Sequence, residues 1–182
     1  MADLSEANLQ GANLSKANLQ GANLSKANLQ MADLKEAHLQ EANLSKANLQ
    51  MADLKEAHLQ EVNLSEADLM LADLTEAQLQ MADLTEAQLQ MANLSKANLH
   101  QALLLSTNLS DYNIDGFSQE CLEGETSPLL CNVALPIGCK VNPNRDCDQM
   151  PQALLSKYPE EFKSLAEAEE YVNYECECKR LC

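Results

Sequence analysis

The chain has 182 residues, a formal net charge of −16, 3% aromatic residues, no tryptophan and seven cysteines. The acidity is shared equally between residues 1–110 and 111–182, which argues against direct binding to a phosphate backbone, since that needs clustered Lys and Arg. No apolar run reaches the length of a membrane span and no charged-then-apolar leader precedes Ala2, so the chain reads as soluble and free of membrane contact.

From Ala2 to Ser110 the sequence repeats A-[N/D/H/Q]-L-x-x. Leucine occupies every fifth position through twenty-two centres, Leu4 to Leu109, and only Val62 and Thr107 replace the alanine two residues before. A five-residue period suits neither common element. On a helix, successive leucines would step around the axis and leave no apolar stripe. On a strand, an odd spacing throws alternate leucines onto opposite faces. A chain that turns a corner every five residues solves the problem, because each Ala and Leu can then point to one central shaft.

Four corners close a circuit in twenty residues. This explains why MADLKEAHLQ occurs at residues 31–40 and again at 51–60: the two copies would lie on successive coils, one above the other. Small Ala and larger Leu would fill a narrow shaft, in which a bulky residue at the alanine site would force the coils apart.

These repeats resemble the pentapeptide-repeat family. The resemblance implies an all-β solenoid, a right-handed four-sided β-helix, with Leu in every central site where the family often uses Phe.

After Ser110 the pattern fades. Tyr112-Asn113-Ile114-Asp115-Gly116 reads as one decayed repeat that ends the shaft, which gives a solenoid over residues 1–116 and a Cys-rich unit over 117–182. Residues 117 to about 147, rich in Pro, Gly, Asn and Cys, read as irregular. A first helix is expected from Asp148 as N-cap to just before Pro159. A second starts at Ser164, whose spacing to Glu167 is that of a capping box. Leu154, Leu155, Leu165, Ala168, Tyr171 and Val172 are expected to form the seam of the pair, which would cap the last coil.

All the cysteines, Cys121, Cys131, Cys139, Cys147, Cys176, Cys178 and Cys182, lie in this tail. Clustering in a small irregular unit points to disulfides, with a metal reading of C-x-C-x-x-x-C as the alternative and one thiol left over. The reading pairs Cys147 with Cys176 or Cys178, because the helices should run antiparallel. Some cyanobacterial and thylakoid-lumen family members carry a helical, disulfide-bonded cap that this tail resembles. That implies a periplasmic or luminal protein whose leader has been removed, and otherwise a cytoplasmic one.

Ladders at twenty-residue spacing define the expected surface. Met31, Met51, Leu71 and Met91, with Met70 beside them, form an apolar ridge suited to a protein partner. Asp33, Asp53 and Asp73 form one acidic column and Glu36, Glu56 and Glu76 another, with Lys35 and Lys55 between them as charge compensation. His38 and His58 stack near Glu41 and Glu61, but Gln78 and Asn98 continue that column without ligand chemistry, so no metal or cofactor is assigned. No nucleophile is paired with a base in a catalytic motif.

The expected function is therefore non-enzymatic: a rigid solenoid that serves as scaffold or binding surface for another protein. One alternative, carried by the acidic columns and by family members thought to protect DNA gyrase, is a DNA mimic. Another is a thiol or metal function of the tail. The N-terminal coil at Leu4, Leu9, Leu14 and Leu19 offers a β edge for end-to-end pairing with a second copy.

Overall fold

The structure is a computed structural model that describes residues 2–109, 127–135 and 143–178, with the backbone alone for 175–178. Parallel bridges join residues twenty apart, from Asp3 with Asn23 to Gln88 with Asn108, one in every five-residue step. Within these coils every fifth residue from Glu6 (φ 58°) to Ser106 (φ 53°) has the left-handed backbone conformation, and Gly11 and Gly21 are the only glycines among them.

The corner is a four-residue turn. In Leu4-Ser5-Glu6-Ala7 the Ala7 N–H donates to the Leu4 carbonyl at 3.1 Å, with Glu6 at the third position, where this kind of turn needs positive φ. A non-glycine residue held there costs about 1–2 kcal/mol, and most when the side chain is β-branched. The residues found there are Glu, Lys, Met, Leu, Gln and Ser, and none is β-branched.

Every amide of the interior repeat Ala27 to Met31 is accounted for. In Ala27 to Met31, Ala27 N–H donates to Leu24 O at 3.0 Å, Asn28 to Ala7 O on one neighbouring coil at 2.9 Å, and Leu29 and Met31 to Asn48 O and Gln50 O on the other at 2.7 and 2.9 Å. Gln30 N–H donates to the side-chain oxygen of Asn28 at 3.2 Å. In a repeat with Asn or Asp before Leu, stacking and this side-chain bond leave no backbone donor orphaned, which would otherwise cost about 1–3 kcal/mol each.

Side chains follow from the corners. Ala and Leu of each repeat fill the shaft, and the central leucines, every fifth residue from Leu24 to Leu79, are essentially inaccessible. Val62 fits, but its turn bond to Leu59 O lengthens to 3.3 Å where neighbouring alanines give 3.0–3.1 Å. Thr107 keeps its place because its hydroxyl donates to Leu84 O at 2.6 Å.

The stack continues past residue 109. Strand β1 (Leu103–Leu105) pairs in parallel with β2 (Leu129–Cys131), and Asn108 bridges Ala134, so this step spans twenty-six residues instead of twenty. Leu130 and Val133 enter the same core as the repeats. Residues 127–135, expected to be irregular, are thus part of the stack. Tyr112 lies outside the described residues.

Helix α1 runs Met150–Lys157 and α2 runs Leu165–Cys178. The expected N-cap at Asp148 is not found. Gln149 holds that position without a side-chain bond, and the Asp146 carbonyl accepts from the Gln149 and Met150 amides at 3.0 and 3.1 Å. At α2 the Glu167 amide donates to Ser164 Oγ at 3.3 Å, while Glu167 Oε2 accepts from the Lys163 amide at 2.7 Å, one residue earlier than a standard box. Leu154, Ala168 and Val172 are buried, but Leu165 is 41% exposed and does not join the seam. Its place is taken by Met150, Tyr158 and Phe162, which pack with Leu103, Leu105 and Cys131. Those leucines flank Leu104, which faces the shaft, so the helices meet the stack on its flank.

Among the described residues a disulfide joins Cys131 to Cys147, which corrects the expected link from Cys147 to Cys176 or Cys178. Asp146 causes it: its amide donates to Leu130 O at 2.9 Å and its carboxylate accepts the Leu130 amide at 3.0 Å, holding the next pair of residues at a Cα–Cα distance of 4.7 Å. Cys121, Cys139 and Cys182 lie outside the described residues, as do the side chains of Cys176 and Cys178.

Ala52, only 1% exposed between successive coils, tests the shaft. Ala52→Phe is expected to lower stability by about 1–3 kcal/mol or more in thermal melting; an unchanged midpoint would place the alanine site outside. Glu56 tests the corner. Glu56→Val should destabilise by about 1–3 kcal/mol while Glu56→Gly stays within about 0.5 kcal/mol of the parent in urea unfolding, and equal effects would refute the left-handed assignment. Removing the sixteen-residue disulfide loop with Cys131→Ala and Cys147→Ala is expected to cost about 3 kcal/mol by the same measurement.

Candidate docking surface

The left-handed corner decides where an apolar residue must go. A side-chain carbon built at Gly11 would meet nothing within 4 Å, so substituents at this column project into solvent. Above it stand Met31, Met51, Leu71 and Met91, with φ of 58°, 57°, 61° and 62° and exposures of 57%, 52%, 47% and 43%. Their amides tie the strip together through the coils, Met31 to Gln50 O, Met51 to Met70 O and Leu71 to Gln90 O at 2.9–3.1 Å. Met70 is half-buried and its own amide donates to Asp68 Oδ1 at 3.1 Å.

Met81 was not singled out from sequence, although Q-M-A at 80–82 repeats the signal at 50–52 and 90–92. It is 47% exposed and stands on a different corner, stacked with Glu61 and Gln101. Its carbonyl accepts from Lys157 Nζ at 2.6 Å, which fixes the end of α1 to the stack.

The acidic columns are occupied by local bonding. Asp33, Asp53 and Asp73 bridge one another, and each accepts the amide two residues on, from Lys35, Lys55 and Thr75, at 3.2, 3.3 and 3.0 Å. Lys35 reaches Asp53 at 2.9 Å and Lys55 reaches Asp73 at 3.0 Å. The bond to Asp53, and then its charge, hold the Lys35 ammonium above the usual lysine range. Burial pulls Asp73 upward, but the Thr75 bonds and Lys55 overcome it and leave the carboxyl below its ordinary value. In the second column, Glu36 pairs with Lys16 at 3.4 Å and Glu76 with Lys96 at 2.7 Å, while Glu56 is exposed between them.

Asn and Asp at the residue before Leu are therefore structural acceptors, a role the sequence reading did not assign. That reading treated His and Gln there as equivalent, and they are not. Gln40, Gln60, Gln80 and Gln90 each follow such a residue, and each carries a buried Oε1 without a partner. His38 and His58 stack with centroids 4.7 Å apart and planes 7° from parallel. Among the described residues no three His, Cys, Asp or Glu side chains converge as metal ligands, and no helix is long and apolar enough to cross a membrane.

Comparison with known proteins agrees with this geometry. Residues 2–40, 24–60, 37–76, 52–90 and 82–117 match the family described as Pentapeptide repeats. No curated protein matches the chain. Among solved structures, the pentapeptide repeat protein Rfr23 of the cyanobacterium Cyanothece 51142 is 39% identical over 48% of this chain, with a TM-score of 0.48, and the match spans 59% of its own length. QnrB1, a plasmid-mediated fluoroquinolone resistance protein, is similar at 19% identity over 87% of this chain and 83% of its own, with a TM-score of 0.61. A thylakoid-lumen pentapeptide repeat protein of Arabidopsis thaliana is 27% identical over 56% of this chain and 63% of its own, with a TM-score of 0.35.

The two acidic columns should behave differently on mutation. Asp73→Ala removes the acceptor of the Thr75 amide and hydroxyl and is expected to cost about 1–3 kcal/mol. Glu56→Gln should stay within about 0.5 kcal/mol in the same denaturation assay. Equal losses would mean that the columns act through charge alone.

Proposed function

The chain belongs to the pentapeptide-repeat family, and from that premise we propose that it is a non-enzymatic, right-handed four-sided β-solenoid that docks another protein along Met31, Met51, Leu71 and Met91. The observation that carries the reading is the alignment of four large apolar side chains, each 43% or more exposed, on consecutive corners of a stack whose polar neighbours are bonded to one another. Flexible methionines suit such contacts because they adapt to the opposing surface. Rigidity comes from the filled shaft, so a partner would meet an ordered strip and order little else on binding.

Lysines interleaved with Asp53 and Asp73 work against the rival reading as a DNA mimic, which needs uncompensated charge. A division near residue 116 into repeats and a tail, whose residues 127–135 rejoin the stack, and an oxidising compartment, periplasm or lumen, accompany the proposal. The compartment is supported by Cys131–Cys147.

The test replaces Met51 and Leu71 by Ser in the full chain and compares capture of partner proteins from extract with that of a second variant carrying Asp53→Asn, Glu56→Gln, Asp73→Asn and Glu76→Gln. A docking strip predicts that a specific partner is lost, at least tenfold, only in the first variant, with melting temperatures near the parent. Loss confined to the second variant, together with parent inhibition of gyrase supercoiling that the same variant abolishes, would establish the mimic instead.

A further inference from the structure

Where α1 and α2 meet the flank of the stack, they close over a cavity of about 140 Å³. Its stack wall includes Asp83, Thr85 and Glu86, together with Glu66, which pairs with Lys46 at 3.2 Å, and its opposite wall includes Tyr158 at the end of α1, Glu161 in the turn after it and Tyr171 of α2. Asp83 is only 2% exposed. Its Oδ1 accepts the Thr85 amide at 2.8 Å and its Oδ2 accepts the Tyr158 hydroxyl at 2.5 Å. Tyr171 donates to Glu86 Oε1 at 3.2 Å.

Three features suit this cavity to a cation. First, among the described residues no lysine or arginine reaches Asp83 or Glu161 within ion-pair distance, and a carboxylate so buried is costly without a counter-charge. The Lys157 ammonium feels the charge of Asp83, but it donates to Met81 O and lines a different cavity. Second, Thr85 is 4% exposed and its Oγ1 has no hydrogen-bond partner, whereas Thr75, one half-coil earlier, donates its hydroxyl to Asp73 at 2.5 Å. Third, aromatic rings complete the wall, with Phe162 tilted against Tyr171 at 5.5 Å between centroids, and rings attract cations at their faces.

An organic cation suits it better than a metal ion. The carboxylates do not converge as metal ligands, so acceptors spread around a small cavity need donors that are also spread out. A guanidinium supplies five N–H groups in one plane, can accept aromatic stacking, and is more weakly hydrated than an ammonium.

We propose that the cavity between the helix pair and Asp83, Thr85 and Glu86 is a recognition site for a guanidinium group, with Asp83 and Glu161 as counter-charges and Thr85 Oγ1 as an added acceptor. The group is carried either by a free small guanidine or by an arginine of a partner protein. This site is separate from the Met31 to Met91 strip and stands without it.

Calorimetric titration of the full-length oxidised chain with L-arginine amide, with uncharged L-citrulline amide, and with a short alanine peptide holding one central arginine tests the site. Saturable binding is expected for the arginine amide, with citrulline amide at least tenfold weaker. Glu161→Gln, in the exposed turn between α1 and α2, should weaken arginine amide about tenfold. Thr85→Val should weaken it about fivefold without lowering the melting temperature, since it removes an unsatisfied hydroxyl and keeps the shape. Met51→Ser should leave it unchanged. A peptide that binds much more tightly than the amide assigns the site to a protein partner, and equal affinity assigns it to a small molecule. No saturation at millimolar arginine amide, equal binding of citrulline amide, or indifference to both cavity variants overturns the proposal.

Discussion

The left-handed residue at each corner is the constraint on which the rest of the molecule depends. Without positive φ at the third turn position the chain would not reverse in five residues, the Ala N–H would not reach the Leu carbonyl, and the coil would not return above itself after twenty. The stack offsets the local strain, of about 1–2 kcal/mol per corner, by bonding amides within and between coils and by burying Ala and Leu along the shaft. The same geometry turns the corner side chain outward. Exposed methionines at 31, 51 and 91 are therefore a consequence of the backbone, and what is informative is that four successive corners of one column are apolar when most others carry Glu or Lys.

A second layer of bonding explains the residue before each leucine. Its side-chain oxygen satisfies the one amide that neither the turn nor the neighbouring coils can reach, as Asn28 does for Gln30. Asp and Asn do this equally well, so carboxylates accumulate in columns for reasons of turn chemistry, and lysines nearby relieve the repulsion. An acidic surface built this way says little about partners. His38, His58, Gln78 and Gln88 break the rule, and buried unpartnered oxygens at Gln40, Gln60, Gln80 and Gln90 follow.

The stacking was legible in the sequence because a five-residue period with invariant Leu excludes helix and strand together, and because residues 31–40 recur at 51–60. The corner conformation was present only as an omission, the lack of β-branched residues at one position in five, which is easily overlooked beside a positive pattern. The ridge residues could be named, since column membership follows from the period, but Met81 was missed because it stands alone on its corner. The tail resisted reading for a different reason. Its contacts are long-range and non-repeating: the step from Leu103 to Leu129, the grip of Asp146 on Leu130, and the docking of Tyr158 on Asp83 leave no periodic trace. The cysteine pairing, inferred from an antiparallel helix pair, failed because the stack and not the helices sets the position of Cys131.

The places where the repeat departs from its own consensus lie together in space. Leu103 and Leu105 put apolar side chains on an outer face that elsewhere carries polar ones, and they create the ground on which Met150, Leu154 and Val172 settle. Once that ground is covered, an ordinary turn acceptor one coil below, Asp83, becomes a buried carboxylate, and its neighbour Thr85 becomes a buried hydroxyl. Asp73 and Thr75, half a coil earlier and uncovered by the helices, have the same sequence pattern and a bonded hydroxyl. The special character of the cavity thus belongs to no motif. It arises from a repeat element whose polarity suits open water and which the helix pair has enclosed, leaving a charge and an acceptor that call for a partner.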